Sequence, residues 1–428
     1  MIKCGMSEVI ITPPLGNSMP GYFEDRRSTG VKDDLYAKAL LIESNEFVVF
    51  IVIDCLALAY PEVRKIRDRV YELTGIAQSQ VMISTTHTHT GPPVRPGFNS
   101  SVNPDYLSDL VDKAADAAKL AYNNRKHARI GFGTGIVDHI SFNRRFFMKD
   151  GSVKTNPGKR NPLIEKPAGP IDPEVSVMRI DALDGEPIGM VSNFACHTDC
   201  VSGTEYSADY PGELSKTIKK MLGEHAVSLF MLGACGNINH TDVSGQTHYE
   251  PFYYKKMGRI LAYEALKVRE KSETTDQLTV RVKSELLRLE NRKPTNQQCK
   301  LAQEALLNES SGIVEKAFAR QLMKVEESKE THSELEIQAV RLGDRAVVGL
   351  PAEIFVEFGL EIKAIAPFRA VFINELCNGA NGYVCTREAY TQGGYEPRLT
   401  NGSKLPENAG EIMTGKLLQL LNSFWAGN

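Results

Sequence analysis

FVVFIVI (residues 47–53), PEVRKIRDRVYEL (residues 61–73) and VMIST (residues 81–85) follow one another along the chain. The first run is apolar throughout, which indicates a strand buried on both faces, because a strand with one solvated face would alternate apolar and polar residues. The middle segment predicts a helix and the last one a second strand. A strand, a helix and another strand in this order predict an α/β protein with a mixed β-sheet core flanked by helices.

The rest of the chain continues this alternation. The link between two of the predicted strands contains Asp184-Gly185, a dipeptide typical of a hairpin turn. We expect further strands at residues 8–11, 37–42, 175–180, 189–194, 226–232, 278–289, 334–342, 345–350 and 370–376. We expect further helices at residues 104–122, after Pro211, at 249–269, from Glu353 and at 409–424.

Two segments depart from the alternation. Residues 151–172 are rich in Pro, Gly and Lys, which predicts a long loop whose Lys154, Lys159 and Arg160 close over a site. Residues 294–329 are polar and prone to form helix, which predicts an inserted helix or helical hairpin with a solvated surface. We therefore expect one catalytic domain over residues 1–428 with a helical insertion at 294–329.

The composition limits the classes of partner. The chain has 428 residues, 42% of them hydrophobic, and a formal net charge of −3. A nearly balanced charge provides no field that would attract nucleic acid or an anionic membrane, so we expect a small-molecule substrate instead. The apolar runs are too short for a secretion signal or a stable membrane insertion, which predicts a cytoplasmic protein. The lone Trp425 would serve packing or an interface, and a homo-oligomer is compatible with it.

Chemically reactive residues follow five of the predicted strands. Open α/β sheets bind ligands at the carboxyl ends of their strands, so one shared site is the simplest explanation. The strand ends and the residues that follow them are 81–85 with His87-Thr88-His89, 189–194 with Cys196-His197, 226–232 with Cys235-Gly236-Asn237-Ile238-Asn239-His240, 345–350 with Glu353, and 370–376 with Asn378 through Tyr383.

The histidines suggest a metal. Residues two apart in an extended segment lie on the same face, so His87 and His89 can reach one centre, and His197 follows a second apolar strand. Imidazole is a common zinc ligand, and catalytic zinc usually has three protein ligands and one open position. Cysteine offers two alternatives. A thiolate zinc site could use Cys196, Cys200 and Cys235, or Cys235 could be a nucleophile.

Several segments, in this order, resemble the neutral ceramidase family in its N-terminal, amidase-type domain. The most specific are STTHTHTGP at residues 84–92 and GYVCTREAYTQGGYE at residues 382–396. The others are SFNRR at 141–145, NFACHTD at 193–199, ADYPGEL at 208–214, LGACGNIN at 232–239 and LPAEIF at 350–355.

The resemblance implies a zinc amidohydrolase with one Zn²⁺ per chain. His87, His197, Glu353 and Tyr383 would be the zinc ligands. His89 would form a hydrogen bond with the water on the metal or with the developing oxyanion. Arg144 would match the site arginine of the family, and Tyr395 the tyrosine close to the reacting carbonyl.

One position departs from the family. A serine of the family corresponds to Asn239 here, an aspartate to Asn237 and a proline to His240. We therefore expect no acyl-enzyme on a serine; a water activated by zinc would attack directly, and Asn239 would orient the substrate or the oxyanion.

Polar Asn237, Asn239 and His240 favour a small, hydrophilic substrate. The sequence thus predicts a zinc-dependent hydrolase that cleaves an amide or ester bond of a small polar substrate. The alternatives are a ceramidase-like N-acyl amidase acting on a lipid amide, a non-catalytic binding protein that retains the metal, and a metal-free α/β protein.

Overall fold

The structure is a computed structural model and describes residues 1–247 and 252–425. Within these ranges, none of the helices has both the length and the apolar character that crossing a membrane requires. The predicted beginning of the helix at residues 249–251 lies outside the described residues.

Strands and helices alternate along the described chain. The strands are β1 (Lys3–Ile10), β2 (Ser18–Met19), β3 (Arg26–Arg27), β4 (Gly30–Val31), β5 (Tyr36–Glu43), β6 (Phe47–Ile53), β7 (Val81–Thr85), β8 (Lys126–Ile136), β9 (Phe142–Asn143), β10 (Arg145–Met148), β11 (Val153–Thr155), β12 (Ile164–Pro167), β13 (Glu174–Ala182), β14 (Pro187–Phe194), β15 (Glu205–Tyr206), β16 (Val227–Leu232), β17 (Ile238–Asn239), β18 (Thr274–Thr275), β19 (Val280–Glu290), β20 (His332–Leu342), β21 (Arg345–Leu350), β22 (Glu353–Ile354), β23 (Ala370–Glu375) and β24 (Tyr383–Val384). The helices are α1 (Tyr60–Thr74), α2 (Pro104–Asn124), α3 (Asp209–Leu222), α4 (Tyr253–Lys271), α5 (Asn296–Leu307), α6 (Ile313–Glu327), α7 (Val356–Ile365), α8 (Arg387–Gln392) and α9 (Ala409–Ser423).

Two mixed sheets form the core. The larger has the strand order β16-β14-β13-β8-β1-β5-β6-β7, with β18 paired to β8, and the smaller has the order β19-β20-β21-β23. β6 and β7 are parallel, as are β14 and β16, and β21 and β23; the other pairs along these two orders are antiparallel. The predicted mixed α/β architecture is therefore confirmed.

The two sheets pack face to face, with helices on their outer faces. Leu40 and Phe50 of the larger sheet share a buried cluster with Val347 and Phe372 of the smaller sheet. Residues on the opposite faces pack against helices: α1 and α2 cover one part of the larger sheet, α3 and α4 another, and α7 and α9 cover the smaller sheet. The chain therefore forms helix, sheet, sheet and helix layers.

Strand β23 holds the two ends of the larger sheet together. β7 and β16 lie at opposite ends of that sheet's strand order. Nonetheless, Asn374 Nδ2 of β23 donates to Ser84 Oγ of β7 at 3.0 Å. On the other side, Asn193 Nδ2 donates to the carbonyl oxygens of both Met231 on β16 and Ile373 on β23. The sheet therefore folds back on itself and brings the segments after β7 and β14 together.

Two local predictions were wrong, and one strand was missed. Glu353 does not begin a helix: it lies in β22, paired with β24, and α7 begins at Val356. The 151–172 segment is not only loop, because β11 and β12 flank β10 in a small sheet. The central strand β8 was not predicted, since KHARIGFGTGI lacks a clear apolar pattern. Its strand conformation is stabilised by pairing with β1, β13 and β18.

The 294–329 segment holds two helices, α5 and α6, as its pattern predicts. Its surface is not entirely solvated, because Ala317, Phe318 and Val325 are buried. The Phe318 ring packs against Phe23 and Phe98, with ring centroids 5.8 and 5.3 Å away. α6 is therefore anchored to the body of the protein beside the segment that follows β7.

Candidate metal centre

Three histidine side chains meet where β7 and β14 end. Nε2 of His87 lies 3.3 Å from Nε2 of His197 and 3.3 Å from Nε2 of His89. The ligating nitrogens of the three rings all lie within 4.8 Å of one another. A search of the described residues for clusters of His, Cys, Asp or Glu donors that could hold a metal ion finds these three histidines.

Backbone carbonyl groups determine which ring nitrogen of each histidine carries the proton. Nδ1 lies 2.7 Å from a carbonyl oxygen in His87, 2.8 Å in His197 and 3.0 Å in His89; these oxygens belong to Leu56, Cys235 and Gly21, respectively. A carbonyl oxygen only accepts, so each Nδ1 donates, and in the neutral imidazole that binds a metal each Nε2 then presents a lone pair. Lone pairs that face each other at 3.3 Å repel unless a cation lies between them. The donor set therefore fits a metal ion.

Glu353 adds a carboxylate oxygen to this group. Its Oε2 lies 3.4 Å from Nε2 of both His87 and His197. This oxygen is buried and forms no hydrogen bond with a described residue. Burial alone would raise the pKa of Glu353, but positive charge and hydrogen bonds from His87 and His197 outweigh burial and hold this pKa well below its ordinary value. With neutral histidines, a bound cation would supply that charge. An ionised carboxylate oxygen that lacks a hydrogen-bond donor and lies beside three imidazoles is suited to bind a metal ion.

The backbone around the histidines is specialised. His87 adopts a left-handed conformation with φ of 64°, which is uncommon outside glycine and costs about 1 kcal/mol or more. Its N–H donates to Cys55 O at 3.0 Å, which helps to fix that conformation. Gly21 has φ of 114°, and a Cβ there would lie 3.0 Å from Nδ1 of His89. Glycine is therefore needed for Gly21 O to accept from that ring.

A cavity of about 250 Å³ opens beside the histidines. His87, His89 and Glu353 line its inner end, together with Tyr383 and Tyr395. The two tyrosine rings are 5.6 Å apart. Burial raises the pKa of Tyr395 to about 12, so its hydroxyl stays protonated at neutral pH and can donate a hydrogen bond. Helix α6 contributes Phe318, Gln321 and Lys324 to the wall.

Arg144 lies behind the tyrosines and is buried. Its Nε donates to Oε1 of Glu396 at 2.9 Å, and its Nη2 donates to Gly236 O at 2.7 Å. The guanidinium carbon lies 5.3 Å from the centroid of the Tyr383 ring. Glu396 also accepts from Arg145 and from Thr155 Oγ1, at 2.8 and 2.9 Å. Arg144 is thus fixed where it can orient Tyr383.

Asn239 does not line this cavity. Its Nδ2 donates to Asn156 Oδ1 at 3.2 Å, and its Oδ1 accepts from the N–H of Thr241 at 3.0 Å. Lys154, Lys159 and Arg160 do not line the cavity either, so the expected basic lid does not form there. Asn239 is instead part of the polar contacts that attach the segment around Asn156.

The cysteines do not form a metal site. Cys196 Sγ lies 3.9 Å from Ile140 O, and Cys200 Sγ lies 3.6 Å from Met257 Sδ. The thiol of Cys235 donates to Oε1 of Glu375 at 2.9 Å. Burial and the neighbouring Glu375 raise the pKa of Cys235 well above its ordinary value. A buried, protonated thiol is a poor nucleophile.

Glu375 supports the site from beneath and was not predicted from the sequence. Its Oε2 accepts from the N–H of Cys235 at 3.0 Å and from the N–H of Ile354 at 3.1 Å. Cys235 provides the carbonyl that orients His197, and Ile354 follows Glu353. One buried carboxyl group therefore connects the backbone segments behind two candidate ligands, which only the tertiary structure reveals.

Cavity residues from distant segments were also missed. They have no local pattern in the sequence, apart from Arg95, which follows the His87–His89 segment closely. They are Tyr22, Arg95, Phe98, Phe318, Gln321, Lys324 and Arg398.

Residues 3–249 match the family described as neutral/alkaline non-lysosomal ceramidase, N-terminal. The fold is similar to that of the neutral ceramidase from Pseudomonas aeruginosa, with a TM-score of 0.76 and 20% identity over 99% of this chain and 74% of that one. It is also similar to a ceramidase complexed with C2, with a TM-score of 0.76 and 19% identity over 99% of this chain and 75% of that one. Because the family match covers more than half of its residues, the chain belongs to the neutral/alkaline non-lysosomal ceramidase family.

Proposed function

We propose that the protein is a zinc-dependent hydrolase that cleaves an amide or ester bond of a small polar substrate. Membership of the ceramidase family implies an amide hydrolase. The observation that carries the proposal is the convergence of three Nε2 lone pairs and the unsatisfied Oε2 of Glu353 at the inner end of a cavity.

His87, His197 and Glu353 would hold the metal, with Tyr383 beside them as a fourth ligand. Imidazole nitrogen and carboxylate oxygen are the donors that catalytic zinc uses most, which is why we propose zinc. Zinc supplies Lewis acidity and lowers the pKa of water at such a site. The carbonyl groups that accept from Nδ1 of each histidine hold the rings in their orientation, so the rings need not reorient when the metal binds.

His89 and Tyr395 would act on the substrate. Burial, followed by the neighbouring His87, lowers the pKa of His89 to about 3, so the ring is neutral and its Nε2 can take a proton from the attacking water. The protonated His89 would then deliver this proton to the leaving group. The Tyr395 hydroxyl would donate to the carbonyl oxygen of the substrate as negative charge develops there. Arg144 would orient Tyr383 as a ligand of the metal.

The cavity favours a small substrate. Its volume of about 250 Å³ lies below the usual range of roughly 300–1,000 Å³ for ligand pockets. A ceramide carries two long apolar chains, whereas Arg95 and Gln321 lie half-buried among the aromatic residues of this wall. Buried or half-buried polar groups select against a substrate that leaves them without hydrogen bonds.

The experiment compares kcat/KM of the zinc-loaded protein for short N-acyl and O-acyl sugars and amino acids with that for a detergent-solubilised ceramide. We expect the best polar substrate to exceed the ceramide by at least tenfold. A tenfold preference for the ceramide would instead support a ceramidase-like lipid amidase. Failure of the zinc-loaded protein to hydrolyse any member of either series would contradict the enzyme proposal and support a non-catalytic, metal-retaining protein.

A further inference from the structure

Three cationic side chains line the cavity: Arg95, Lys324 and Arg398. They come from distant parts of the chain. Arg95 follows the histidine segment after β7, Lys324 lies on α6, and Arg398 follows α8. Lys324 lies on the same helix face as Phe318 and Gln321, at spacings of three residues, so all three point towards the cavity.

None of these three cations forms an ion pair or a side-chain hydrogen bond with any residue in 1–247 or 252–425. Arg398 is held by stacking alone, with its guanidinium carbon 4.5 Å from the centroid of the Phe318 ring. Arg95 is half-buried, and burial lowers its pKa while Glu353 opposes that effect. A guanidinium remains charged under such conditions, so the cavity carries positive charge.

The carboxylates that line the same cavity do not neutralise this charge. Glu396 is committed to Arg144 and Arg145, with which it forms two buried ion pairs. Glu353 faces the histidines. Two other half-buried cations do have partners: Lys363 contacts both Asp172 and Glu174, and Arg292 donates to three backbone carbonyl groups. Lys324 and Arg398 are exposed, so solvent accounts for their lack of a partner. Arg95 is half-buried without one, and this sets the cavity apart.

We infer that the substrate carries an anionic group, a carboxylate or a phosphate, close to the acyl bond that is cleaved. This inference rests on the proposed function and specifies its substrate class. Arg95 lines the cavity together with His87 and Glu353 and would bind the anion through its two-pronged guanidinium, which matches the geometry of carboxylate and phosphate oxygens. Lys324 and Arg398 would attract the anion towards the cavity.

The experiment uses pairs in which one member carries the anionic group and the other lacks it. N-hexanoylglycine is compared with N-hexanoylglycinamide, and N-hexanoyl-phosphoethanolamine with N-hexanoyl-ethanolamine. Two quantities are measured for each pair: kcat/KM with the zinc-loaded full chain, and Kd by calorimetry with the metal-free full chain. The metal-free measurement tests the cations without any contribution from the metal.

We expect the charged member of at least one pair to be preferred tenfold or more, and the identity of that pair to distinguish carboxylate from phosphate. In Arg95→Gln the preference should fall to about one, and in Lys324→Gln it should fall by at least threefold and become less sensitive to salt. Arg64→Gln and Lys300→Gln replace exposed cations outside the cavity and should retain the preference.

Equal values for both members of both pairs, in kcat/KM and in Kd, would overturn the inference and leave the hydrolase proposal intact. A preference for the charged member that persists in Arg95→Gln and Lys324→Gln would overturn it as well. If no compound is hydrolysed, the proposed function fails, and the Kd values still decide whether the cavity selects anions. Arg95→Lys keeps the charge, and partial recovery there would support the assignment if Arg95→Gln proves unstable.

Discussion

Glu353 and Tyr383 are direct partners in the register of the parallel strands β22 and β24, although 29 residues separate them in the sequence. Each of these strands has two residues, and the N–H of Glu353 donates to Gly382 O at 2.8 Å. The pairing places a carboxylate and a phenol side by side at the inner end of the cavity. A helix beginning at Glu353 would have broken this register.

The first prediction concerns the metal. The purified protein should contain about one zinc ion per chain, and His197→Ala should remove most of it because the remaining donors lose an imidazole. Zinc content is measured by elemental analysis, and circular dichroism checks that the fold is retained. His225→Ala replaces an exposed histidine that contacts Glu186 and should keep its zinc. A fully active protein free of transition metal would refute the zinc mechanism.

The second prediction concerns Cys235. Its thiol donates to Glu375, and the orientation of His197 depends on the carbonyl oxygen of Cys235, not on the thiol. Cys235→Ser preserves both features, so kcat/KM should stay within about threefold of the unmodified protein, a change of roughly 0.6 kcal/mol. Cys299→Ser on α5 is the control. Complete loss of activity in Cys235→Ser alone would revive the thiol nucleophile.

The third prediction concerns the buried carboxylate of Glu396. Burial alone raises its pKa, but Arg144 and Arg145 outweigh burial and lower it. Glu396→Gln would leave two buried guanidinium groups without their anion, which should lower the free energy of unfolding by about 3 kcal/mol. The measurement is denaturation by urea. Glu411→Gln breaks an exposed ion pair with Arg387 and should cost about 0.5 kcal/mol or less. Equal effects of the two substitutions would contradict the prediction.

The fourth prediction concerns pH. Burial raises the pKa of Asp54 from 3.8 to about 6, although Lys38 and hydrogen bonds from Tyr36 and Thr86 oppose the shift. The folded chain therefore binds this proton more tightly than the unfolded chain does. The contribution of Asp54 to stability is fully present below pH 4 and is lost as the pH rises to 6, a change of up to about 3 kcal/mol.

Asp54→Asn removes this titration, and its amide can still accept from the Tyr36 N–H. Relative to the unmodified protein, the variant should gain unfolding free energy as the pH rises from 4 to 6 and keep that gain at pH 7.5. Urea denaturation across this range provides the measurement. Asp34→Asn, at an exposed neighbour, is the control. Parallel pH profiles for Asp54→Asn and the unmodified protein would show that Asp54 titrates normally.

Local patterns in the sequence determined most of the strands and helices and indicated where the chemistry lies. FVVFIVI forms β6 and VMIST forms β7 with the predicted bounds, because a continuous apolar run can be buried only in the interior of a layered fold. The histidines after β7 and β14 were selected because ligands bind at strand ends. The domain boundaries, the role of each site residue and the cytoplasmic location stay predictions.

The tertiary structure alone decided how these segments meet. β7 and β16 are far apart in the sheet order, and the hydrogen bonds of β23 bring the segments beside them together. No local pattern in the sequence indicates such contacts, because side chains separated by more than 100 residues interact only after the layers have packed. For the same reason, the sequence could not show that Glu375 supports two candidate ligands, or that Arg95, Lys324 and Arg398 line one cavity.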